Sequence, residues 1–219
     1  MVCKKCSEKP VIQLTNSPVQ LCRSCFLRYF EKKTLKTIRK YGLINYKDHI
    51  VVALSGGKDS LSLLHILKKI SVRKTDITLS ALLIDEGIKD YRDKSIKDAK
   101  AFCKKQKIKL HIVSYKTEIK KTLDDLKKQF QDTIPCSMCG VLRRYLLNKH
   151  ARKLKATKLA TGHNMDDESQ SIIMNQLKNN VALSARLGPT TGIVKDSKFI
   201  PRIKPFYLLT EKEIATYAY

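Results

Sequence analysis

Nowhere do the 219 residues contain the roughly 18 consecutive apolar residues that a membrane helix requires, so no membrane span is expected. The N-terminus, Met1-Val2-Cys3-Lys4-Lys5-Cys6, lacks the apolar core of an export signal. Both absences predict a soluble, cytoplasmic protein. There is no fixed-period repeat and no low-complexity segment. Acids are scarce: 20 Asp and Glu face 44 Lys and Arg, for a net charge of +24 spread along the whole chain. That imbalance predicts a polyanionic partner such as nucleic acid, although a lysine-rich solvated surface has the same composition. The length suits one α/β domain with a small appendage and excludes a disulfide-stapled miniprotein.

Disulfides are not expected either. Six of the seven cysteines stand in Cys-x-x-Cys pairs in a chain without an export signal, which points to metal ligation. Cys3-x2-Cys6, fifteen intervening residues and Cys22-x2-Cys25 have the spacing of a four-cysteine zinc ribbon. Residues 1–27 carry too few apolar side chains for a core, so metal would supply their order. A redox or iron–sulfur role for the four is the alternative. Cys136 and Cys139 form the third pair, placed at the mouth of a helix expected from near Val141, where the helix N-terminus would favour thiolate. They are candidates for chemistry, with a second structural zinc half-site as the other reading. Cys103 shares an i, i+3, i+7 face with Ile96 and Ala99 and is read as core.

Three domains are expected: a zinc ribbon over 1–27, a basic connecting helix over 28–48, and an α/β nucleotide domain over 49–219. The helix runs from Phe26 to Tyr41 and stops at Gly42. Beyond it, strands at Ile50–Leu54, Leu79–Ile84, Leu110–Tyr115 and Leu159–Thr161 alternate with helices. Those helices fall at Ser60–Ile70, Asp93–Lys105, Thr117–Gln129, Val141–Lys155 and Asp167–Leu177. Such alternation predicts a doubly wound parallel sheet with helices on both faces. The final residues Glu211–Tyr219 read as a helix with no stop signal, as expected of a chain truncated there.

Ser55-Gly56-Gly57-Lys58-Asp59-Ser60 follows an apolar strand and opens a helix. There, backbone N–H groups and a helix N-terminus can cradle phosphate. The spacing is not that of a Walker loop. The hexapeptide resembles the signature of the PP-loop ATP pyrophosphatases, which cleave ATP between its α- and β-phosphates. That resemblance implies an ATP site in which Ser55, Gly56, Gly57, Lys58, Asp59 and Ser60 hold phosphates and Mg²⁺, with Asp85 and Gly162 beside the nucleotide. A simple acidic turn is the other reading of Asp85-Glu86-Gly87-Ile88.

Two further stretches narrow the match: Pro135-Cys136-Ser137-Met138-Cys139-Gly140-Val141-Leu142-Arg143-Arg144-Tyr145 and Thr161-Gly162-His163-Asn164-Met165-Asp166-Asp167-Glu168-Ser169-Gln170. Together with the N-terminal cysteines, Gly87-Ile88-Lys89-Asp90-Tyr91-Arg92 and Pro201-Arg202-Ile203-Lys204-Pro205, they resemble the TtuA-type tRNA 2-thiouridine synthetases. The resemblance implies adenylation of the C2 oxygen of a tRNA uridine, in the T-loop by preference, and its replacement by sulfur. It also implies a [4Fe-4S] cluster on Cys136, Cys139 and a third cysteine that this sequence does not contain, and a zinc on Cys3, Cys6, Cys22 and Cys25. A ubiquitin-like carrier with a C-terminal thiocarboxylate would bring the sulfur, and a homodimer is an open option. Asp59, Arg143, Asp166 and Asp167 join Cys136 and Cys139 as implied catalytic residues, although an acid at the start of a helix also serves simply as a cap. His163 reads equally as a ligand or a hydrogen-bonding structural residue. The alternatives are a wobble-uridine thiolase of the same superfamily and a non-catalytic, zinc-containing tRNA-binding subunit.

Overall fold

A computed structural model describes residues 2–15, 17–73, 76–88, 91–129, 135–192 and 198–219; the side chains of Tyr91, Lys127, Gln129 and Pro135–Ser137 are outside that description. Lys89 and Asp90 of the resemblance motif therefore lie outside it, as does the Cys136 side chain. In chain order the elements are β1 (Ile12–Gln13), β2 (Gln20–Leu21), α1 (Arg23–Lys40), β3 (His49–Leu54), α2 (Lys58–Arg73), β4 (Thr78–Asp85), α3 (Tyr91–Gln106) and β5 (Lys109–Ser114). There follow α4 (Tyr115–Ile119), α5 (Leu123–Gln129), α6 (Pro135–Lys153), β6 (Lys158–Ala160), α7 (Met165–Leu177), α8 (Val181–Ser184), β7 (Thr190–Thr191), β8 (Arg202–Ile203) and α9 (Glu211–Ala218). None of these helices is long and apolar enough to cross a membrane.

The chain divides into two compact units. One comprises residues 1–45, 162–191 and 203–219. Its β1 and β2 pair antiparallel, with Ile12 opposite Leu21. Helix α1 buries Phe26, Phe30, Thr34 and Ile38 at four-residue spacing, which is the stripe a 3.6-residue period produces. The expected stop at Gly42 is there: Gly42 adopts φ +55°, Leu43 N–H returns to the Ile38 carbonyl at 3.0 Å, and Gly42 N–H returns to Arg39 at 3.3 Å. That pair of bonds is the Schellman closure, and glycine meets its left-handed φ without a Cβ clash. Phe30 stacks on Tyr217 of α9 at 4.1 Å. Glu213 closes the capping box with Thr210 and also accepts from Tyr29 Oη at 2.6 Å and Lys33 Nζ at 2.9 Å. Burial and the Glu213 carboxylate push the Tyr29 phenol far above its usual range, so the hydroxyl stays a donor.

The other unit comprises residues 46–161 and 192–202. Its strands lie in the order β5-β4-β3-β6, all parallel, with Leu54 opposite Leu83 and Val52 opposite Ala160. Val51, Leu82, Ile84, Val113 and Leu159 pack on Leu146, Leu147 and Ala151 of α6. The alternate residues Ile50, Val52, Leu54, Ala81 and Leu83 are buried too. Strands covered on both faces explain why these segments read as continuous apolar runs. The doubly wound expectation is met.

Two expected helices change. The single helix over Thr117–Gln129 is broken: α4 ends at Lys120, at φ +60°, and α5 starts afresh behind Thr122, whose Oγ1 accepts from Asp125 N–H at 3.1 Å while Asp125 Oδ2 accepts from Thr122 N–H at 2.8 Å. That reciprocal cap is worth more than continuing the helix. The helix expected from near Val141 begins at Pro135, a residue preset for the first helical position. Cys136 and Cys139 therefore lie within α6 rather than before it.

Candidate functional site

The ATP-loop segment sits where β3, apolar from Ile50 to Leu54, hands over to α2. Because the chain runs from β3 outward to β4 and β5 and then returns to β6 on the other side of β3, the carboxyl ends of β3 and β6 flank a switch point. That is the place where ligands settle on such sheets. The loop is tied to itself before any ligand arrives. Gly57 N–H donates to Ser55 Oγ at 3.2 Å, Ser55 N–H donates to Ser60 Oγ at 3.2 Å, and Ser60 Oγ donates to the Gly57 carbonyl at 3.0 Å. Gly56 stands at φ +84°, and a Cβ there would lie 2.6 Å from the Ser95 side chain and 2.8 Å from its carbonyl. Only glycine fits.

Lys58 Nζ lies 3.2 Å from Asp59 Oδ1. That oxygen is buried and accepts no hydrogen bond, so its contact with Lys58 is an ion pair without bond alignment. An acceptor left open beside a phosphate-type loop fits a cation bridging to phosphate. Asp85, by contrast, is committed to its own turn. Its Oδ1 accepts from Gly87 N–H at 2.9 Å, and Gly87, at φ +71°, approaches Thr122 too closely for a Cβ.

A buried carboxylate links this loop to the cysteines. Glu86, wholly buried at the end of β4, meets both the Nε and Nη2 of Arg92, and Arg92 Nη1 donates to the Ser55 carbonyl at 2.8 Å. The other carboxylate oxygen lies 2.6 Å from Arg143 Nε, an ion-pair contact not aligned as a hydrogen bond. Arg143 Nη2 in turn donates to Cys139 Sγ at 3.4 Å. Burial works against the Arg143 charge, but Glu86 and then Cys139 outweigh it and raise its pKa further. Tyr115 Oη donates to the Cys139 carbonyl at 3.1 Å, and burial first, with Cys139 second, pushes its phenol far up, so it remains a donor. Ser55, Arg92, Glu86, Arg143 and Cys139 thus form one continuous chain of contacts. Cys103 is buried on α3, and burial raises its thiol to about 11, as a core residue requires.

Glu86 entered the sequence reading only within the Asp85–Ile88 stretch and Arg92 only within the resemblance motif, neither with a role of its own, and Tyr115 had none. A glutamate just past the apolar run Ala81–Ile84 of β4 was the available signal, since a buried acid demands a cation.

Gly162, His163, Asp166 and Asp167 belong to the first unit. His163 is exposed. Asn164 caps α7, and Asp167 completes the box by accepting from Asn164 N–H at 3.0 Å. Asp166 Oδ2 accepts from Glu211 N–H at 2.7 Å, capping α9. Glu168, also missed, is buried against Lys204 and accepts from Gly188 N–H at 3.2 Å.

In the same unit the sulfurs of Cys3, Cys6, Cys22 and Cys25 all lie within 4.8 Å of one another. Cys6 is 3.3 Å from Cys22 and 3.5 Å from Cys25. Four thiolates at a Zn–S length of about 2.3 Å sit about 3.8 Å apart, so the donor set fits a tetrahedral metal. The Ser24 hydroxyl, then the Cys25 backbone and Cys6, lower the Cys22 thiol to about 6.

The profile of the PP-loop domain family matches residues 27–219. The chain belongs to the PP-loop family. Within the PP-loop family it is similar to tRNA-5-methyluridine(54) 2-sulfurtransferase of Pyrococcus horikoshii, 37% identical over 218 residues that cover 100% of this chain and 67% of that protein. It is also similar to Cytoplasmic tRNA 2-thiolation protein 1 of Chlamydomonas reinhardtii, 37% identical over 221 residues, or 100% of this chain and 61% of that one. Among solved structures, the U34-tRNA thiolase NcsA from Methanococcus maripaludis with its [4Fe-4S] cluster aligns with a TM-score of 0.88 at 33% identity, covering 100% of this chain and 70% of that chain. The chain therefore spans about two thirds of the length of the curated relatives it matches.

Proposed function

We propose that this PP-loop chain acts in ATP-dependent 2-thiolation of tRNA. The observation that carries the reading is the buried Glu86, which holds the phosphate-type loop through Arg92 and the Cys139 environment through Arg143. Activation and sulfur delivery are then two ends of one rigid constellation. The names of the similar proteins support the same reaction class.

In the proposed first step the C2 oxygen of a uridine attacks the α-phosphorus of ATP. Pyrophosphate leaves with the electrons of the broken P–O bond. Loop N–H groups and Lys58 hold the phosphates, and Asp59 is the residue that would hold Mg²⁺, which would neutralise charge on the phosphates. In the second step sulfur at the level of hydrosulfide bonds to C2 and AMP departs with the C2–O electrons, so uridine, ATP and hydrosulfide give 2-thiouridine, AMP and pyrophosphate without net oxidation. Adenylation is needed because AMP is a far better leaving group than a bare carbonyl oxygen. Cys136 and Cys139 would be two of the thiolate ligands of a [4Fe-4S] cluster, which would supply a site for inorganic sulfur, and no cysteine follows Cys139 in these 219 residues. Arg143 steadies the charge at Cys139. Gly162 is proposed for the nucleotide, and Asp166 and Asp167 for the reacting groups, on the resemblance of their motif. Zn²⁺ in the ribbon is structural. The partners are tRNA, a thiocarboxylate-bearing sulfur carrier and a second copy of the chain, in the cytoplasm.

The T-loop uridine is preferred, and the similarity to a U34 thiolase supports the wobble position as the second reading. Anaerobically prepared protein, ATP and tRNA test the proposal: pyrophosphate should appear, Asp59→Ala should abolish it, and Cys139→Ala should keep ATP binding but form no thiouridine. Mapping the product to position 54 or 34 separates the two readings. Thiouridine formed at the normal rate by Cys139→Ala would sink the sulfur-delivery role, and absence of pyrophosphate release would leave a non-catalytic tRNA-binding subunit.

A further inference from the structure

Helix α6 has two unlike sides. Leu146, Leu147 and Ala151 enter the core, while Tyr145, Arg152 and Lys153 face out. Residues 198–200 lie along that outer side because Asn148 grips them twice: its Nδ2 donates to the Lys198 carbonyl at 2.7 Å and its Oδ1 accepts from Ile200 N–H at 2.9 Å. Between helix and segment lies a groove of about 590 Å³, within the range of about 300–1,000 Å³ that bound ligands occupy.

Its lining is aromatic and cationic at once. Tyr145 is 56% exposed and Phe199 60% exposed, so two rings flank one groove. The acid closest in chemistry, Glu118, is neutralised by Lys149 at 2.6 Å and meets His150 at 2.9 Å; the same Lys149 nitrogen lies 5.9 Å from the centre of the Tyr145 ring. Arg152 and Lys153 are exposed with no carboxylate partner among the described residues.

We propose that this groove binds an unpaired stretch of the tRNA, with a base stacked against Tyr145 and Phe199 and the flanking phosphates held by Arg152 and Lys153. The inference rests on the tRNA reading above and adds to it the place of docking. Single-stranded RNA is the occupant that uses both features, because splayed bases need flat apolar faces and their phosphates need cations. An acidic peptide would engage the cations and leave the rings idle. Tyr145 follows Cys139 by six residues, which is about 9 Å along the helix axis and about 120° around it.

The test is tRNA binding by fluorescence anisotropy with the full chain over a potassium chloride series. Tyr145→Ala with Phe199→Ala should weaken binding roughly tenfold or more and leave the salt dependence unchanged, whereas Tyr145→Phe should bind as wild type. Arg152→Ala with Lys153→Ala should lower the slope of log affinity against log salt by about 1–2, the counterions of one or two phosphates. Phe199→Ser, on an exposed segment, repeats the aromatic test without touching a helix. Wild-type protein that binds no tRNA refutes the tRNA reading itself. Wild-type binding that all of these variants retain, even if they weaken an acidic protein partner, overturns the groove proposal alone.

Discussion

Glu86→Ala should lower the unfolding free energy by about 3–5 kcal/mol. The carboxylate is fully buried, and its Arg92 partner is only 6% exposed, so truncation leaves a guanidinium charge with neither water nor counter-ion. It also frees the arginine that holds the Ser55 carbonyl. The second ion pair adds little, because the Arg143 side chain is 44% exposed and solvent screens it to about 1 kcal/mol or less. The structure therefore ranks the two arginines. A double-mutant cycle should give a coupling of about 2–3 kcal/mol between Glu86 and Arg92, and less than about 1 kcal/mol between Glu86 and Arg143. Replacing the buried pair together, as Glu86→Leu with Arg92→Met, should recover much of the single-mutant loss. Urea unfolding followed by circular dichroism measures all of these. The reasoning is refuted if Glu86→Ala stays within about 0.5 kcal/mol of wild type, or if the two couplings come out equal.

Gly56→Ala should destabilise the chain by about 2 kcal/mol or more and abolish ATP binding in calorimetry, since the new methyl meets Ser95 at 2.6 Å in a left-handed backbone. Gly57→Ala is the control for stability: the nearest protein atom to a Cβ there is Ser55 Oγ at 3.4 Å, and the unfolding free energy should stay within about 1 kcal/mol of wild type. Leu146→Ala opens a cavity beneath α6 and should cost about 2–5 kcal/mol by urea unfolding, without altering tRNA affinity per folded molecule. Elemental analysis should find one zinc per chain and none in Cys25→Ser, and zinc retained at full stoichiometry in that variant would disprove the four-cysteine shell.

The parallel sheet was legible because strands buried on both faces are apolar through their middles, as β3 is from Ile50 to Leu54 and β4 from Ala81 to Ile84. The Gly42 stop was legible because glycine favours the left-handed φ of a helix end, whereas Lys107 and Lys155 close α3 and α6 by the same pair of bonds and carry no such signal; the four-cysteine spacing was legible because thiolates pair at fixed intervals around a metal. Boundaries set by competing caps were not. Thr122 with Asp125 outbids a continuous helix through Lys120, a contest that apolar periodicity does not register, and the start of α6 at Pro135 hid behind the expectation that a Cys-x-x-Cys pair precedes its helix. The loop Ser55–Ser60 and Cys139 were readable as separate motifs. Their connection was not, because Glu86, Arg92 and Arg143 lie far apart in order and meet only once β4, α3 and α6 are in place. The acids Asp166 and Asp167 show the reverse case: a motif implied chemistry, and the local geometry reveals that each already serves as a helix cap.

Helix α6 carries Cys139 near one end and Arg152 near the other, thirteen residues later, with Leu146, Leu147 and Ala151 packed in the core between them. At 1.5 Å per residue that is a fixed interval of about 20 Å. On the proposed reading the helix would be a measuring stick laid against its substrate. A strand gripped at the far end would offer only the nucleotide that falls at the right mark, and inserting one alanine into the exposed stretch after Cys139 would turn the far end by about 100° and misread the scale.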